Sequence, residues 1–327
     1  MDLLIHHFWE LTITGLAIGA VYALVALGYT LVYGVLRLIN FAHSEVFMYG
    51  SFAAVWVLMA LGAGKATGLG LVGYLVVGFI AAMATSGLVA LIVEFVAYRP
   101  LRKRNSPPLI ALISAIGASF TFSELMGLRD KPLKWFGLEG LQPYLGRARE
   151  NLPLTLHVDT KRVFPVFNYQ VTNIDLIVLG SAIVMMVILD QFVRRSRLGR
   201  GIRAVAQDAE AAALMGVNRD RVIRLTFLIG GVMAGAAAMM YLLKIGVTRY
   251  NAGFILGIKA FTAAVLGGIG NLRGALVGGF VLGVAENYGG ALFGNQWKDV
   301  VAFVLLIIIL LFRPTGLLGE SLGKARA

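Results

Sequence analysis

From Leu11 to Leu36 the chain runs without a single charged side chain, and runs of this kind recur to its end. A helix needs about 20 apolar residues to cross the hydrocarbon of a bilayer. Leu11–Leu36, Leu69–Val93, Leu109–Met126, Leu176–Leu189 with its flanks, Leu225–Leu243 and Gly274–Ala285 extended to Leu292 meet that need. Val46–Leu61, Phe254–Gly270 around Lys259, and Val300–Phe312 are shorter or interrupted, as tilted, half-length or re-entrant helices are. The fold class follows: an all-α, polytopic integral membrane protein of about nine apolar helical segments. Composition agrees. Of 327 residues 58% are hydrophobic and 14% charged, against about a quarter charged in soluble domains. A water-soluble core could not bury so much apolar surface, so lipid must cover the rest.

The charge balance fixes what kind of surface faces water. The net charge is +12, but the basic residues stand between apolar runs rather than along one polar face, which argues against nucleic acid and for loops beside an anionic leaflet. Arg99, Arg102, Lys103 and Arg104 form one cluster. Arg194, Arg195, Arg197, Arg200, Arg203, Arg219, Arg221 and Arg224 form a larger one, and Arg313, Lys324 and Arg326 close the chain. With these on the cytoplasmic side, the crossings are consistent if all nine segments span. The N-terminus then lies outside and the C-terminus inside. Trp9, Trp56, Trp135 and Trp297 fall toward the outer face, as an aromatic belt does. The whole of 1–327 reads as a single transmembrane domain with an external loop at 127–172 and a cytoplasmic loop at 194–224. Pro132, Pro143, Pro153 and Pro165 argue against a long helix in the external loop. The first ten residues, with His6 and His7, hold no Lys or Arg, and the run after them is too long for a signal core.

Forty glycines cluster in the spans. Gly15 and Gly19, and Gly231 and Gly235, are GxxxG pairs, while Gly270, Gly274 and Gly278 with the offset pair Gly279 and Gly283 make a longer ladder. Small residues let helix backbones approach in lipid, where little hydrophobic force draws helices together. The ladder therefore reads as tight packing, or as a surface sliding between two gating states. Gly68–Gly73 matches a dinucleotide fingerprint by letter only, since no βαβ unit surrounds it, and Gly64-Lys65-Ala66 lacks the Ser or Thr of a phosphate loop. Cysteine is absent, which excludes disulfides and thiolate metal sites. No HExxH, catalytic triad or paired-carboxylate motif stands in a solvent-exposed context, so no enzymatic activity is expected of the chain.

Within the large basic loop, Asp208 is a good N-cap, Glu210 sits in the first turn, and Gly216 suits a left-handed C-cap. Between them Ala209–Met215 makes two turns of helix, with Ala211 and Ala212 slim and Leu214 and Met215 apolar. Such a helix is either a docking plug for a cytoplasmic partner or an ordinary solvated loop helix. Glu210-Ala211-Ala212, three residues, then Gly216 resembles the coupling loop of bacterial ABC-importer permeases, although Ile223 and Leu225 stand where Leu-Pro usually follows. Gly19–Tyr33, Ile39–Glu45 (INFAHSE), Leu109–Gly117, Ala260–Gly270 and Arg313–Gly316 are similar to the branched-chain amino acid permease family, with Ser44 where the family usually has Gly.

The resemblance implies a type II ABC-importer permease in a bacterial cytoplasmic (inner) membrane, importing branched-chain or other hydrophobic amino acids. It implies a second, homologous permease subunit, two cytoplasmic ATPases that carry ATP and Mg, and an external substrate-binding protein. This chain itself would hold no cofactor and no metal. Relatives with near-identical motifs carry urea or short amides. An ion-coupled secondary transporter is the other class, and the coupling-type loop argues against it. Charges within spans are functional candidates by default. Asn40, His43, Glu45, Lys259, Glu286 and Asn287 are candidates for the pathway or its gating. The structural alternatives are, for Lys259, a snorkelling side chain or an ion pair with a nearby carboxylate such as Glu286, and for His43 and Glu45 a helix-start network in which Asn40 and Ser44 cap backbone and His43 bonds Glu45. Glu94, Asp190, Glu124 and Asp175 lie near span ends and read as structural.

Overall fold

The computed structural model describes residues 7–319 except 66, 105, 136, 138–148, 155, 157, 159 and 168. The expectations for His6, Ala66, Pro143, Lys324, Arg326 and the two chain ends lie outside the described residues. Helices dominate: α1 (Phe8–Leu36), α2 (His43–Ala60), α3 (Gly68–Val93), α4 (Arg99–Lys103), α5 (Pro108–Gly127), α6 (Asp130–Trp135), α7 (Asn173–Arg195), α8 (Arg197–Gln207), α9 (Ala209–Leu214), α10 (Arg219–Ile245), α11 (Ala252–Gly267), α12 (Leu272–Phe293) and α13 (Lys298–Phe312). A five-residue π turn, Glu94–Tyr98, joins α3 to α4.

Among the described residues seven helical stretches are long and apolar enough to cross a membrane: α1, α3 through α4, α5, α7, α10, α12, and α13 with the short turn before it. The remaining two expected segments are α2, whose first turn carries His43 and Glu45, and α11, which has 16 residues. At about 1.5 Å per residue α11 rises about 24 Å, short of a 30 Å hydrocarbon layer. The 127–172 region contains short strands that the apolar-run reading did not anticipate: β1 (Leu152–Pro153), β2 (Arg162–Val166) and β3 (Tyr169–Thr172). β2 and β3 form an antiparallel hairpin, and β1 pairs with β4 (Val247–Thr248). The hairpin leads directly into α7, where Thr172 and Asp175 form a reciprocal capping box. Tyr169 donates to the same Asp175 carboxylate at 3.0 Å. Burial and that carboxylate push the Tyr169 phenol up, which keeps it a donor.

The chain folds as two compact units. The first comprises Met1–Arg37, Thr160–Thr226 and Ile258–Ala327; the second comprises Leu38–Asp159 and Phe227–Gly257.

In the first unit α12 is gripped on two faces. Gly274 and Gly278 meet Gly267 and Ala263 of α11, while Gly279 and Gly283 meet Ala23, Gly19 and Gly15 of α1. Gly274 and Gly279 are five residues apart, which at about 100° each puts the two pairs about 140° apart around the helix. One ladder therefore serves two neighbours. A Cβ at Gly279 would lie 2.6 Å from the Ala23 Cβ, and one at Gly15 would lie 2.8 Å from the Val284 Cα. Gly270 does not belong to this ladder. It lies in the turn between α11 and α12 with φ +97° and open space around it, so it serves backbone conformation rather than packing.

In the second unit α2 lies along α3, and Gly231 and Gly235 of α10 press on Ala90, Gly87 and Ala82 of α3. Ser86 donates to the Val46 carbonyl at 2.9 Å, tying α3 to α2. Glu94 in the π turn is buried and pairs with Arg102 at 3.0 Å. The buried Tyr98 donates to the Asn40 side-chain oxygen at 3.2 Å and packs on Phe227.

Candidate functional site: a capped loop helix and two buried charge clusters

Three polar caps divide the chain after α7. Ser196 ends α7, and its hydroxyl accepts from the Gly199 N–H at 2.8 Å to begin α8. Gly199 is required there, because a Cβ would meet the Phe192 carbonyl oxygen at 2.6 Å. Asp208, extended at φ −149°, ends α8 and starts α9. Its Oδ1 accepts from the N–H groups of Glu210 at 2.9 Å and Ala211 at 3.0 Å. These donors, Ala211 first, hold the Asp208 carboxyl below the usual carboxylate range, with Arg37 adding to the effect. Asn218 then accepts from the Arg221 N–H at 2.9 Å to start α10.

The expected helix is present as α9, ending at Leu214; Met215 leaves helical geometry and Gly216 turns at φ +85°. Gly216 N–H donates to the Ala213 carbonyl and Val217 N–H to the Ala212 carbonyl, both at 3.0 Å, so the last carbonyls are satisfied. Ala212 is buried within the loop. Glu210 and Ala211 are exposed, and Leu214 and Met215 stand out at 90% and 84% exposure. Arg37 reaches across from the end of α1. Its guanidinium donates to the Ala206 carbonyl at the end of α8 at 3.2 Å.

Lys259 of α11 sits in the first charge cluster. Its Nζ lies 3.1 Å from Glu286 Oε1 and 2.7 Å from Asp299 Oδ1. Tyr22 of α1 donates to Glu286 Oε2 at 2.8 Å, and its ring faces the Lys259 ammonium at 5.7 Å. The anticipated ion pair with Glu286 is thus present, joined by a carboxylate and a phenol that sequence reasoning missed. Asn287 belongs to the same end of α12. Its amide donates to the Leu11 carbonyl at 2.8 Å and to Thr14 Oγ1 at 2.5 Å, which makes it a tie between α12 and α1.

Glu45 lies in the second cluster. It is buried, and Ser119 donates to its Oε1 at 3.1 Å, while its Oε2 has no hydrogen-bond partner among the described residues. Gly253 approaches so closely that a Cβ there would be 2.7 Å from that oxygen. His43 is buried beside it in the first turn of α2. The expected helix-start network is met only in part, by the bond of Ser44 to backbone. The N-cap residue is Ala42 and no side chain caps it. Asn40 offers its side-chain oxygen to Tyr98 instead, and Ser44 donates back to the Phe41 carbonyl at 2.8 Å.

Comparison with known proteins gives a consistent family. The family model described as branched-chain amino acid transport system / permease component matches residues 11–310. The high-affinity branched-chain amino acid transport system permease protein BraD of Pseudomonas aeruginosa is 41% identical over 320 residues, covering 97% of both chains. LivH of Escherichia coli K12, with the same description, is 42% identical over 320 residues and 96% of both chains. A probable branched-chain amino acid transport permease protein LivH from Methanocaldococcus jannaschii is 24% identical over 312 residues, 93% of this chain and 90% of its own.

Proposed function

This chain belongs to the family of branched-chain amino acid transport permeases, and from that premise we propose that α9 is the lever through which separate ATPases drive it. The chain is a multi-pass permease of an ABC-type transport system, not an enzyme. Its proposed cargo is a branched-chain or similar hydrophobic amino acid. The proposed assembly has a second, homologous permease, two ATPase subunits that bind ATP and Mg, and an external binding protein that delivers the cargo. The proposed topology puts the N-terminus and residues 127–172 outside, and residues 194–224 and the C-terminus in the cytoplasm.

One observation carries this reading. A helix capped at both ends presents Leu214 and Met215 almost fully to solvent at its tip. Covering a side chain of this size is worth about 1.5–3 kcal/mol, so the pair suits a cleft on another protein. The caps keep the lever rigid, and the connections to α8 and α10 pass its displacement to the spans on either side.

Two measurements test the reading together. Reconstituted with its ATPases and binding protein, the complex should take up leucine only with ATP, and uptake driven by an ion gradient without ATP would contradict it. Because the chain has no cysteine, a single cysteine at position 210 should label only from the cytoplasmic side. Labelling from outside would overturn the topology.

A further inference from the structure

Beside α9 lies a groove of about 740 Å³ whose charged lining residues are Arg197, Arg200 and Arg221, with Gly201, Val217 and Asn218 among the others. No carboxylate lines it. A second hollow of about 600 Å³ shares Arg200 and Ala204 with the first and adds Arg203. Three exposed guanidiniums around one concave surface make a positive field that attracts an anion.

Chain connectivity sets the depth of this groove. Helix α7 runs 23 residues to Arg195, and only Ser196 separates it from α8. Helix α10 runs 27 residues from Arg219. The groove lies between α8 and the first turn of α10, just past the ends of α7 and α10, two of the helices long and apolar enough to cross a membrane. Helix α8 is itself amphipathic: Gly199, Ile202 and Val205 are buried, and Arg197, Arg200 and Arg203 face out. Its apolar side packs into the protein, which leaves the three arginines on the open side.

We propose that this groove binds the phosphate of an acidic phospholipid. The phosphodiester accepts hydrogen bonds from Arg197 and Arg200 on α8 and from Arg221 on α10, and so ties together the two helices that carry α9 between them. Arginine forks suit phosphate oxygens better than a lysine point charge does. The lipid headgroup is favoured over a soluble anion because the groove adjoins the basic ends of two apolar, membrane-length helices, the level at which lipid phosphate is concentrated. The inference rests on the proposed topology only in placing this loop at the inner leaflet.

The test is native mass spectrometry of the assembled importer, equilibrated with a mixture of phosphatidylglycerol and phosphatidylcholine in detergent. Wild type should retain phosphatidylglycerol in preference to phosphatidylcholine. Arg197→Gln/Arg200→Gln/Arg221→Gln should lose that lipid by about fivefold for each arginine removed. Arg195→Gln/Arg219→Gln/Arg224→Gln, with the same loss of charge outside the groove lining, should keep it. Equal retention by wild type and the groove variant, or equal loss in the control, overturns the proposal. So does a wild type that binds inorganic phosphate or ATP in the groove with no preference between the lipids. The groove variant should also keep its ATPases; their release would assign these arginines to the ATPase contact and overturn the lipid site. Failure of the coupling reading is separable, because changes at Leu214 and Met215 should leave lipid retention as it was.

Discussion

Helices α12 and α9 are both rich in small residues, and they use them in opposite ways. In α12 the glycines at 274, 278, 279 and 283 bring two neighbouring helices into backbone contact. In α9 the run Ala209 to Ala213 draws in almost nothing: Ala212 is buried, but Leu214 and Met215 at the tip stand in solvent. The first helix is held by its surroundings, and the second by its own caps. A helix held by packing resists change at any point along it, whereas one held by caps can present a bare surface to a partner without weakening the spans.

The contrast breaks most readily at the packed helix. Gly279→Leu places a branched side chain where even a Cβ meets Ala23. Overpacking against backbone costs about 3 kcal/mol or more, so folded protein recovered from membranes should fall sharply. Normal yield and thermal stability would show that α1 and α12 are not interlocked as described.

The ionic cluster on the same unit is next. Lys259→Met leaves Glu286 and Asp299 facing each other without their cation. Removing one partner of a buried pair costs about 3–5 kcal/mol. The lower end applies because Asp299 is half exposed. Thermal unfolding in detergent should drop in Lys259→Met and partly recover in Lys259→Met/Glu286→Gln. An unchanged midpoint in the single variant would mean the cluster carries no stability.

At α9 the expected effect is local. The Asp208 carboxyl is held below its usual range by the N–H groups it caps. Its contribution is present at neutral pH and is lost as pH falls through that lowered value. Amide protection at Glu210 and Ala211 should therefore fade in acid in the wild type. In Asp208→Asn, which caps without titrating, the fading should be absent. The same acid dependence in both proteins would remove Asp208 as its source.

These features were legible in the sequence to different degrees, for physical reasons. The caps of α9 are local, so Asp208 and Gly216 announce themselves within a few residues. The pairing of Lys259 with Glu286 was legible because a charge in a span needs a partner. Asp299 was not, because it lies at the start of α13 and its position depends on how α12 and α13 fold back. The glycine spacing revealed packing but not that one ladder serves two helices. Gly270 continued the four-residue repeat and proved to be a turn, since a periodic pattern says nothing of φ. The β2–β3 hairpin escaped notice because its strands are short and bury little.

On the proposed function, Leu214 and Met215 serve a partner rather than the fold. The direct measurement is co-purification of the ATPase subunits with Leu214→Asp/Met215→Asp, alongside its thermal unfolding and ATP-driven leucine uptake. The unfolding midpoint should equal that of wild type, with ATPase recovery and uptake both lost. Full ATPase recovery and full uptake in that variant would contradict the proposed role.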